Sequence, residues 1–176
     1  MKPLPIGPQD ALDDLEPCFD GLIQFFCAAH PEVPWTLVKA QIWQESRFNP
    51  LAVSPTGPVG LGQFTKATWD DFRPGRDRRD VFYMAGAMVE YMERLLRWGS
   101  DRGAVAADVP RFALAAYNAG PGNIVKCQEW ASKEGADPMQ WGNVRASFPP
   151  VLGPLKAVET AGYVHVILDR EAHYKV

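Results

Sequence analysis

The sequence contains few residues that could bind a metal ion or form a disulfide. Its 176 residues include three cysteines and three histidines. If Cys18 and Cys27 share a helix, they lie about 13 Å apart along its axis, which is too far for a disulfide. The histidines at positions 30, 165 and 173 are scattered, and none stands at a zinc-ligand spacing from a cysteine. We therefore expect free thiols, which suit synthesis in a reducing cytosol, and no metal or organic cofactor.

Long hydrophobic runs and an excess of one charge are also missing. The formal net charge is −3, which provides no reason to expect nucleic-acid binding through bulk electrostatics. No stretch approaches the roughly 18 consecutive apolar residues that a membrane span requires. Residues 1–8 lack the apolar core of a signal peptide. We expect no nucleic-acid partner, no stable membrane association and no export signal.

The composition is that of a soluble globular protein, with 47% hydrophobic and 22% charged residues. A chain of this length fits one domain with a continuous core. Residues 1–10 are rich in proline and predict an extended lead-in, followed by a single domain over residues 11–176. No repeat, low-complexity tract or linker indicates a second domain, and we expect a monomer.

The spacing of apolar residues predicts a mainly α fold of about seven helices. These helices are expected near residues 11–30, 34–47, 66–72, 81–99, 109–119, 123–134 and 155–172. Thr65 is a predicted N-cap and Gly99 a predicted C-cap. Repeated glycine and proline at residues 48–64 exclude regular helix and favour an irregular wall or a short strand. Residues 135–154 are expected to form a long, partly irregular connection.

One carboxylate, Glu45, occupies an unusual place in the second predicted helix. Trp35, Val38 and Ile42 form an apolar stripe at helical spacing, and Glu45 follows on the same stripe. A carboxyl on that face should point toward the interior, where burial disfavours its charged form and raises its pKa. A general acid needs that property.

The end of this helix strengthens the prediction for Glu45. Asn49-Pro50 should stop the helix, because the residue before a proline is biased away from helical angles. Glu45 would then lie in the last turn, where the helix dipole also favours a protonated carboxyl. In the alternative interpretation Glu45 turns to solvent or pairs with Arg47. Helix geometry alone favours neither.

Three separated stretches carry a resemblance to a known family. Residues 45–63 read E-S-x-F-x-P-x-A-x-S-x-x-G-x-x-G-L-x-Q, residues 116–122 read A-Y-N-A-G-P-G, and residues 159–164 read E-T-A-G-Y-V. Together they resemble the catalytic domain of the soluble lytic transglycosylases, lysozyme-like enzymes that cleave bacterial peptidoglycan. The resemblance covers about residues 34–168. It implies a mainly α, lysozyme-like domain, related in architecture to the goose-type lysozymes, with a small irregular or short-strand wall beside its cleft.

The resemblance implies a single catalytic acid, Glu45. It would protonate the glycosidic oxygen between N-acetylmuramic acid and N-acetylglucosamine, and then act as base toward the muramic C6 hydroxyl. That hydroxyl would attack C1 and leave a 1,6-anhydro end. Intramolecular attack needs no placed water and gains effective concentration from proximity. The expected partner is therefore the glycan strand of peptidoglycan.

The resemblance also implies five substrate-binding residues: Ser54, Gln63, Tyr117, Asn118 and Tyr163. Ser54 would position substrate or water, although a turn-forming serine before a proline is a competing interpretation. Gln63 would bond sugar amide groups. Tyr117 would place its hydroxyl near the catalytic acid, whereas Asn118 is as readily a helix cap that holds the loop. Tyr163 matches a cleft tyrosine.

Five positions depart from the family pattern. Gly62 stands where the family usually carries methionine, and Pro58 where it usually carries alanine. Ala161-Gly162 replaces the usual Arg-Asn, which removes a polar contact. Phe82 falls where asparagine is usual. These departures affect the expected sugar subsites rather than the reaction at the catalytic acid.

Two other functions compete with the transglycosylase hypothesis. A hydrolytic muramidase like the goose-type lysozymes usually needs a second carboxylate, for which Asp70 and Asp71 are the nearest candidates. Both more simply form an exposed helix face. A peptidoglycan-binding module without activity is the other alternative. Glu45 argues against it, because a degenerate site would most readily lose its one buried charge.

The biological setting follows from the expected free cysteines and the absence of an export signal. Both features suit a bacteriophage endolysin that is made in the host cytoplasm, acts on the cell wall after holin-mediated release, and lyses the host. They also suit a virion-associated enzyme that penetrates the wall on entry.

Overall fold

The computed structural model describes residues 16–175, which contain nine helices and almost no strand. The helices are α1 (Glu16–Cys27), α2 (Trp35–Ser46), α3 (Lys66–Phe72), α4 (Val81–Asp101), α5 (Val109–Ala119), α6 (Pro121–Lys133), α7 (Trp141–Ala146), α8 (Phe148–Leu152) and α9 (Pro154–Tyr174). The prediction of a mainly α fold is confirmed. The predicted lead-in and residues 11–15 of the first predicted helix lie outside the described residues.

The chain divides into two compact units, with the division inside α4. The first unit runs to Glu90 and includes the short C-terminal segment from His173, and the second comprises Tyr91–Ala172. The first unit therefore holds α1, α2, α3 and the beginning of α4. The second holds the rest of α4, the helices α5 to α8 and most of α9. The expectation of a single domain over residues 11–176 stays a prediction.

In the first unit, the middle of α2 is buried on nearly all sides. Every residue from Thr36 to Ile42 is buried, so the helix has no simple apolar stripe. Lys39 belongs to this buried stretch because acids of α1 neutralise it: its Nζ donates to Asp20 Oδ2 at 3.0 Å and lies 3.6 Å from Glu16 Oε1. A buried lysine is tolerated only with such partners.

In the second unit, α5 is the most deeply buried helix segment. Its residues 112–116 are no more than 1% exposed. The Phe112 ring meets Trp141 edge to face at 5.8 Å, and Trp141 meets Phe148 in the same manner at 5.6 Å. These aromatic contacts order the stretch that joins α6 to α9.

One sequence-based expectation about this unit is incomplete and another is wrong. Residues 135–154 are partly irregular, as expected, but they also contain the two short helices α7 and α8, which the sequence did not predict. Pro149 and Pro150 suggest a break, yet they occupy the first turn of α8, where a missing N–H costs nothing. Gly99 does not cap α4, which continues to Asp101, and the left-handed residue after it is Gly103, with φ of 86°.

The cysteines are free thiols: Cys27 and Cys127 are buried, and Cys18 is exposed. Burial raises the pKa of the Cys27 thiol to about 11 and raises that of Cys127 as well. Both buried thiols are therefore protonated and unreactive at neutral pH. Among residues 16–175, no helix is long and apolar enough to cross a membrane.

The predicted N-cap of α3 is confirmed and generates a first prediction. Thr65 has extended backbone angles, and its Oγ1 accepts a hydrogen bond from the Thr68 N–H at 3.2 Å. Thr65→Ala should lower the free energy of unfolding by about 1 kcal/mol, because it leaves that donor without its partner. Thr65→Ser keeps the acceptor and should preserve most of the stability. Equal urea midpoints for the alanine variant and the wild type would contradict this role.

Candidate active site

The region after Glu45 is a tight turn with unusual backbone angles. Helix α2 ends at Ser46, and the next two residues, Arg47 and Phe48, both have left-handed angles, with φ of 53° and 58°. Each non-glycine residue in this conformation costs roughly 1–2 kcal/mol. The helix thus ends before Asn49-Pro50, earlier than the proline alone predicts. Glu45 lies in the last turn, as expected.

Contacts of the two left-handed residues themselves hold this strained turn in place. Phe48 is 1% exposed and stacks on Phe19 of α1, with ring centroids 5.4 Å apart. The Arg47 guanidinium lies over the Trp43 ring, and its Nη1 donates to the Trp43 carbonyl at 3.1 Å. Glu45 itself is partly exposed, which lies between the interior position and the solvent-facing alternative that the sequence left open. Strained backbone that its surroundings over-determine is characteristic of functional sites.

The Gly/Pro-rich stretch after this turn forms a compact loop, residues 52–64, which we call the wall loop. Two isolated antiparallel bridges, Val53 with Val59 and Val59 with Phe64, are its only strand-like pairing. The predicted irregular or short-strand wall is confirmed in this form. Three of its residues have positive φ: Gly57, Gly60 and Gln63.

Ser54 forms the turn at the tip of the wall loop. Its Oγ lies 3.1 Å from Thr56 Oγ1 and accepts weakly from the Thr56 N–H at 3.5 Å. Its carbonyl accepts from the Gly57 N–H at 2.9 Å, and its own N–H donates to the Pro58 carbonyl at 2.9 Å. The structure thus supports the turn-forming interpretation, and the partly exposed hydroxyl stays a predicted substrate contact.

Gln63 uses its amide nitrogen to close the wall loop. Its Nε2 donates to the Gly60 carbonyl at 2.9 Å and to the Ala52 carbonyl at 3.3 Å. Both amide hydrogens therefore satisfy backbone carbonyls within the same loop. The side-chain carbonyl Oε1 is consequently the atom of Gln63 best suited to accept from a sugar N–H or O–H.

The segment that precedes α4 supports the wall loop from outside. Arg78 Nη1 donates to the carbonyls of Gly57 at 3.3 Å and Phe64 at 3.1 Å. A Cβ added to Gly60 would lie 2.3 Å from the Arg78 carbonyl oxygen. Glycine at position 60 therefore answers two needs, a left-handed conformation and a close backbone approach. No motif or periodicity in the sequence relates Arg78 to Gly60, so the sequence analysis missed this contact.

In the second unit, both ends of the Asn118 amide bond to helix α9. Its Nδ2 donates to Glu159 Oε1 at 3.1 Å, and its Oδ1 accepts from Thr160 Oγ1 at 2.8 Å. Lys156 Nζ donates to the same Glu159 oxygen at 2.6 Å. Asn118 is not the cap of α5, since Gly120 holds that position. The amide thus joins two helices and aligns the A-Y-N-A-G-P-G segment on α9.

The two tyrosines expected at the site lie in this same unit. Tyr117 is partly exposed, and its ring centroid is 5.2 Å from that of Tyr91. Tyr163 is 6% exposed and lies four residues after Glu159 on α9. Tyr117, Asn118 and Tyr163 thus belong to the second unit, and Glu45 and the wall loop belong to the first. The expected approach of the Tyr117 hydroxyl to Glu45 stays a prediction.

The candidate carboxylates for a hydrolase lie on the surface of the short helix α3. Asp70 and Asp71 are both exposed, and Asp70 pairs with Lys66 one turn earlier. An exposed, ion-paired carboxylate is poorly suited to act as a nucleophile or as a base for a placed water. This arrangement agrees with the exposed-face interpretation.

A surface groove of about 660 Å³ lies elsewhere in the second unit, between α8 and α9. Its lining includes Phe148, Pro149 and Val158, together with Ala161 and Gly162. Two small residues thus line an open surface at the positions where the family pattern usually carries Arg-Asn. None of the predicted site residues lines this groove.

The fold places the protein in a known structural class. It matches the crystal structure of the 70-kDa soluble lytic transglycosylase of Escherichia coli with a TM-score of 0.62 and 24% identity, over 89% of this chain and 24% of that one. A complex of the 70-kDa soluble lytic transglycosylase with bulgecin A matches with a TM-score of 0.65 and 23% identity, over 94% and 25%. The chain therefore has the lysozyme-like fold of these enzymes.

The sequence comparisons identify the family. Residues 24–139 match the family described as the transglycosylase SLT domain, and the chain belongs to that family. It is 33% identical over 144 residues to the membrane-bound lytic murein transglycosylase F of Vibrio vulnificus, and 35% identical over 139 residues to that of Vibrio cholerae. Both matches cover 79% of this chain and 25% of the relative, so the chain spans about a quarter of their length.

The close approach at Gly60 predicts a large loss of stability on substitution. Gly60→Ala introduces left-handed strain, about 1–2 kcal/mol, and a steric conflict with the Arg78 carbonyl of a further 1–3 kcal/mol. Gly57→Ala is the matched control, since Gly57 also has positive φ but open space around its Cβ position. Denaturant unfolding should show the larger loss for Gly60→Ala. Equal losses would mean that the contact with Arg78 relaxes without cost.

The Glu159 network predicts a pH-dependent contribution to stability. Mainly the hydrogen bond from Lys156, assisted by Asn118, holds the pKa of the Glu159 carboxyl below its usual value against an opposing effect of burial. A lowered folded pKa means that the ionised group stabilises the fold above its unfolded pKa, and that this stabilisation is lost as the pH falls through the folded pKa.

Glu159→Gln should therefore lower the melting temperature at neutral pH, and the gap to the wild type should close in acid. Melting curves between neutral and acidic pH test this expectation. Glu129→Gln, on the exposed face of α6, is the control and should show no such trend. A gap that stays constant across the pH range would assign the loss to the amide substitution itself rather than to ionisation.

Proposed function

We propose that this protein is a lytic transglycosylase that cleaves the β-1,4 bond between N-acetylmuramic acid and N-acetylglucosamine. The observation that carries the proposal is the placement of Glu45 in the last turn of α2, where only Ser46 separates it from the two packed left-handed residues. Membership of the SLT-domain family supports it, and the names of the relatives describe the same activity. Rigid placement of one acid is what a single-carboxylate mechanism requires.

In the proposed reaction, Glu45 donates its proton to the glycosidic oxygen as the bond from that oxygen to C1 breaks. The N-acetylglucosamine side leaves as an alcohol. The Glu45 carboxylate then accepts the proton of the muramic C6 hydroxyl, whose oxygen bonds to C1. The proton is thereby returned, and the product carries a 1,6-anhydro ring. Since the nucleophile belongs to the substrate, the enzyme needs no second carboxylate, unlike most glycoside hydrolases.

The other predicted residues then hold the sugar chain. Gln63 would accept from a sugar N–H or O–H through Oε1, because its Nε2 is bonded to the wall loop. Ser54 and Tyr117, which are partly exposed, would offer hydroxyl groups to the substrate. Asn118 and Tyr163 would act mainly by holding the second unit's substrate-binding residues in place, since the first is bonded to α9 and the second is buried.

We also propose a biological role as a phage endolysin. Its buried, protonated thiols are compatible with accumulation in a reducing host cytoplasm before a holin provides access to the wall. Expression in a host with and without an inducible holin tests this role. Lysis should follow holin induction only. Lysis without the holin would contradict the requirement for release, and recovery of the protein in purified virions would instead indicate a wall-penetrating virion enzyme.

Mass spectrometry of the soluble products from purified peptidoglycan tests the reaction itself. The wild type should release muropeptides lighter by one water than reducing-end forms, the mass of 1,6-anhydro ends. Glu45→Gln should lower the rate by at least about 100-fold, because it removes the general acid and base. The Glu129→Gln variant should keep full activity.

Other products would contradict the proposal in different ways. Reducing ends would mean hydrolysis and direct attention to Asp70 and Asp71 as the second carboxylate. Binding of peptidoglycan without release by either the wild type or Glu45→Gln would leave a sugar-binding module. Unchanged release by Glu45→Gln would exclude Glu45 as the acid.

A further inference from the structure

We propose that Arg78 is a positioning residue, which holds the wall loop from outside and thereby sets the substrate contacts of Ser54 and Gln63. The inference rests on the proposed function, because it assigns a role in binding the same substrate. Arg78 would touch no substrate itself. Its effect would pass through the backbone of the loop that carries both predicted contacts.

The Arg78 guanidinium joins a well-buried part of the wall loop to an exposed part. Phe64, at the base, is 2% exposed, and its ring lies 6.2 Å from that of Trp69. Gly57, at the tip, is exposed, and no atom lies within 4 Å of its Cβ position. One nitrogen, Nη1, donates to both carbonyls. A well-held base is thus linked to a weakly held tip.

Arg78 is itself carried by a short segment that is anchored at both ends. Before it, the Trp69 indole donates to the Arg76 carbonyl at 2.8 Å. After it, Asp80 directly precedes α4 and caps its start: its carbonyl accepts from the Met84 N–H at 2.9 Å and its carboxylate from the Tyr83 N–H at 3.1 Å. Arg78 therefore holds the wall loop against a segment that is anchored to the helices α3 and α4.

Movement of the tip would be transmitted directly to the predicted substrate residues. The Gly57 N–H donates to the Ser54 carbonyl, and the Ser54 N–H donates to the Pro58 carbonyl, so tip and serine form one hydrogen-bonded turn. Gln63 directly precedes the second carbonyl that Arg78 holds. Ser54 and Gln63 would therefore be less precisely positioned if the guanidinium were removed.

The same bonds contribute little to global stability. Gly57 is exposed and Arg78 is partly exposed, so water can replace the guanidinium at the Gly57 carbonyl. The Phe64 carbonyl also accepts from the Val59 N–H at 3.3 Å and keeps one partner without Arg78. A neutral truncation should therefore loosen the wall loop while the core stays intact. This separation makes a positioning role testable against a merely structural one.

The experiment compares Arg78→Ala, Arg78→Lys and the control Arg79→Ala, whose exposed side chain belongs to the adjacent residue. Soluble, uncrosslinked glycan strands serve as the substrate. Arg78→Ala should raise KM by about tenfold and leave kcat within about twofold, which is the signature of lost ground-state and transition-state binding. Arg78→Lys should recover part of the loss, since an ammonium can bond one carbonyl. Arg79→Ala should match the wild type.

Hydrogen exchange provides a second readout that does not depend on activity. In Arg78→Ala, the amides of Ser54 and Gly57 should exchange at least about tenfold faster, while those within α2 keep their wild-type rates. This arm tests the structural part of the inference even if the wild type does not cleave glycan strands. In that case the proposed function fails, while faster exchange still supports the hold on the loop and wild-type exchange overturns it.

Three results would overturn the positioning role. Exchange and KM in Arg78→Ala equal to those of Arg79→Ala would mean that the guanidinium does not hold the loop. Faster exchange throughout the first unit, with a large loss of melting temperature, would mean that Arg78 supports the fold as a whole. Faster exchange of the tip with unchanged KM would mean that loop order does not matter for binding.

Discussion

The turn that follows Glu45 is the constraint on which the candidate site depends. Two consecutive non-glycine residues, Arg47 and Phe48, adopt left-handed angles, and the isolated backbone disfavours that conformation. Burial of Phe48 against Phe19 and the stacking of Arg47 on Trp43 offset this cost. The helix therefore ends at one residue and not over a frayed turn. As a result, the carboxylate stands on a backbone whose position is settled before any substrate binds, which is how an enzyme reduces the entropic cost of catalysis.

The wall loop follows the same physical principle in a segment that has no regular structure. Its side chains bond to its own backbone: Gln63 Nε2 donates to the carbonyls of Gly60 and Ala52, and Ser54 Oγ accepts from the Thr56 N–H. A loop with so little ladder pairing would otherwise pay the ordering cost on binding. Glycine at position 60 makes this compactness possible, because the neighbouring segment approaches closer than any side chain would allow. Preorganisation here comes from side-chain bonds to carbonyls rather than from secondary structure.

In the second unit, a polar network holds the motif residues around Asn118 and Glu159 in place. The Asn118 amide uses both of its ends on α9, and Glu159 is ionised and held by Lys156. A half-satisfied amide at this point would be costly, since Thr160 is fully buried. The network explains why the alanine-rich C-terminal half of α5 carries Tyr-Asn near its end. The asparagine aligns two helices, and the preceding tyrosine is thereby presented at a defined place.

The sequence by itself determined the class of fold and the residues to examine. Helical periodicity predicted most of the helices, because that signal is local, and Thr65 was recognisable as a cap from its residue type and position. Glycine and proline similarly marked the wall loop. The motifs named Glu45, Ser54, Gln63 and the second-unit residues as a set.

Only the tertiary structure decided how these residues are held, because those contacts join segments that no local pattern relates. The early end of α2 depends on a phenylalanine partner in α1, and the helices of residues 135–154 depend on aromatic contacts with α5. The bonds of Arg78 to the wall loop span 14 and 21 residues and follow from no periodicity or motif. Asn118 looked like a helix cap until α9 supplied both of its partners. Residue types are written in the sequence, whereas the choice among possible partners is made by packing.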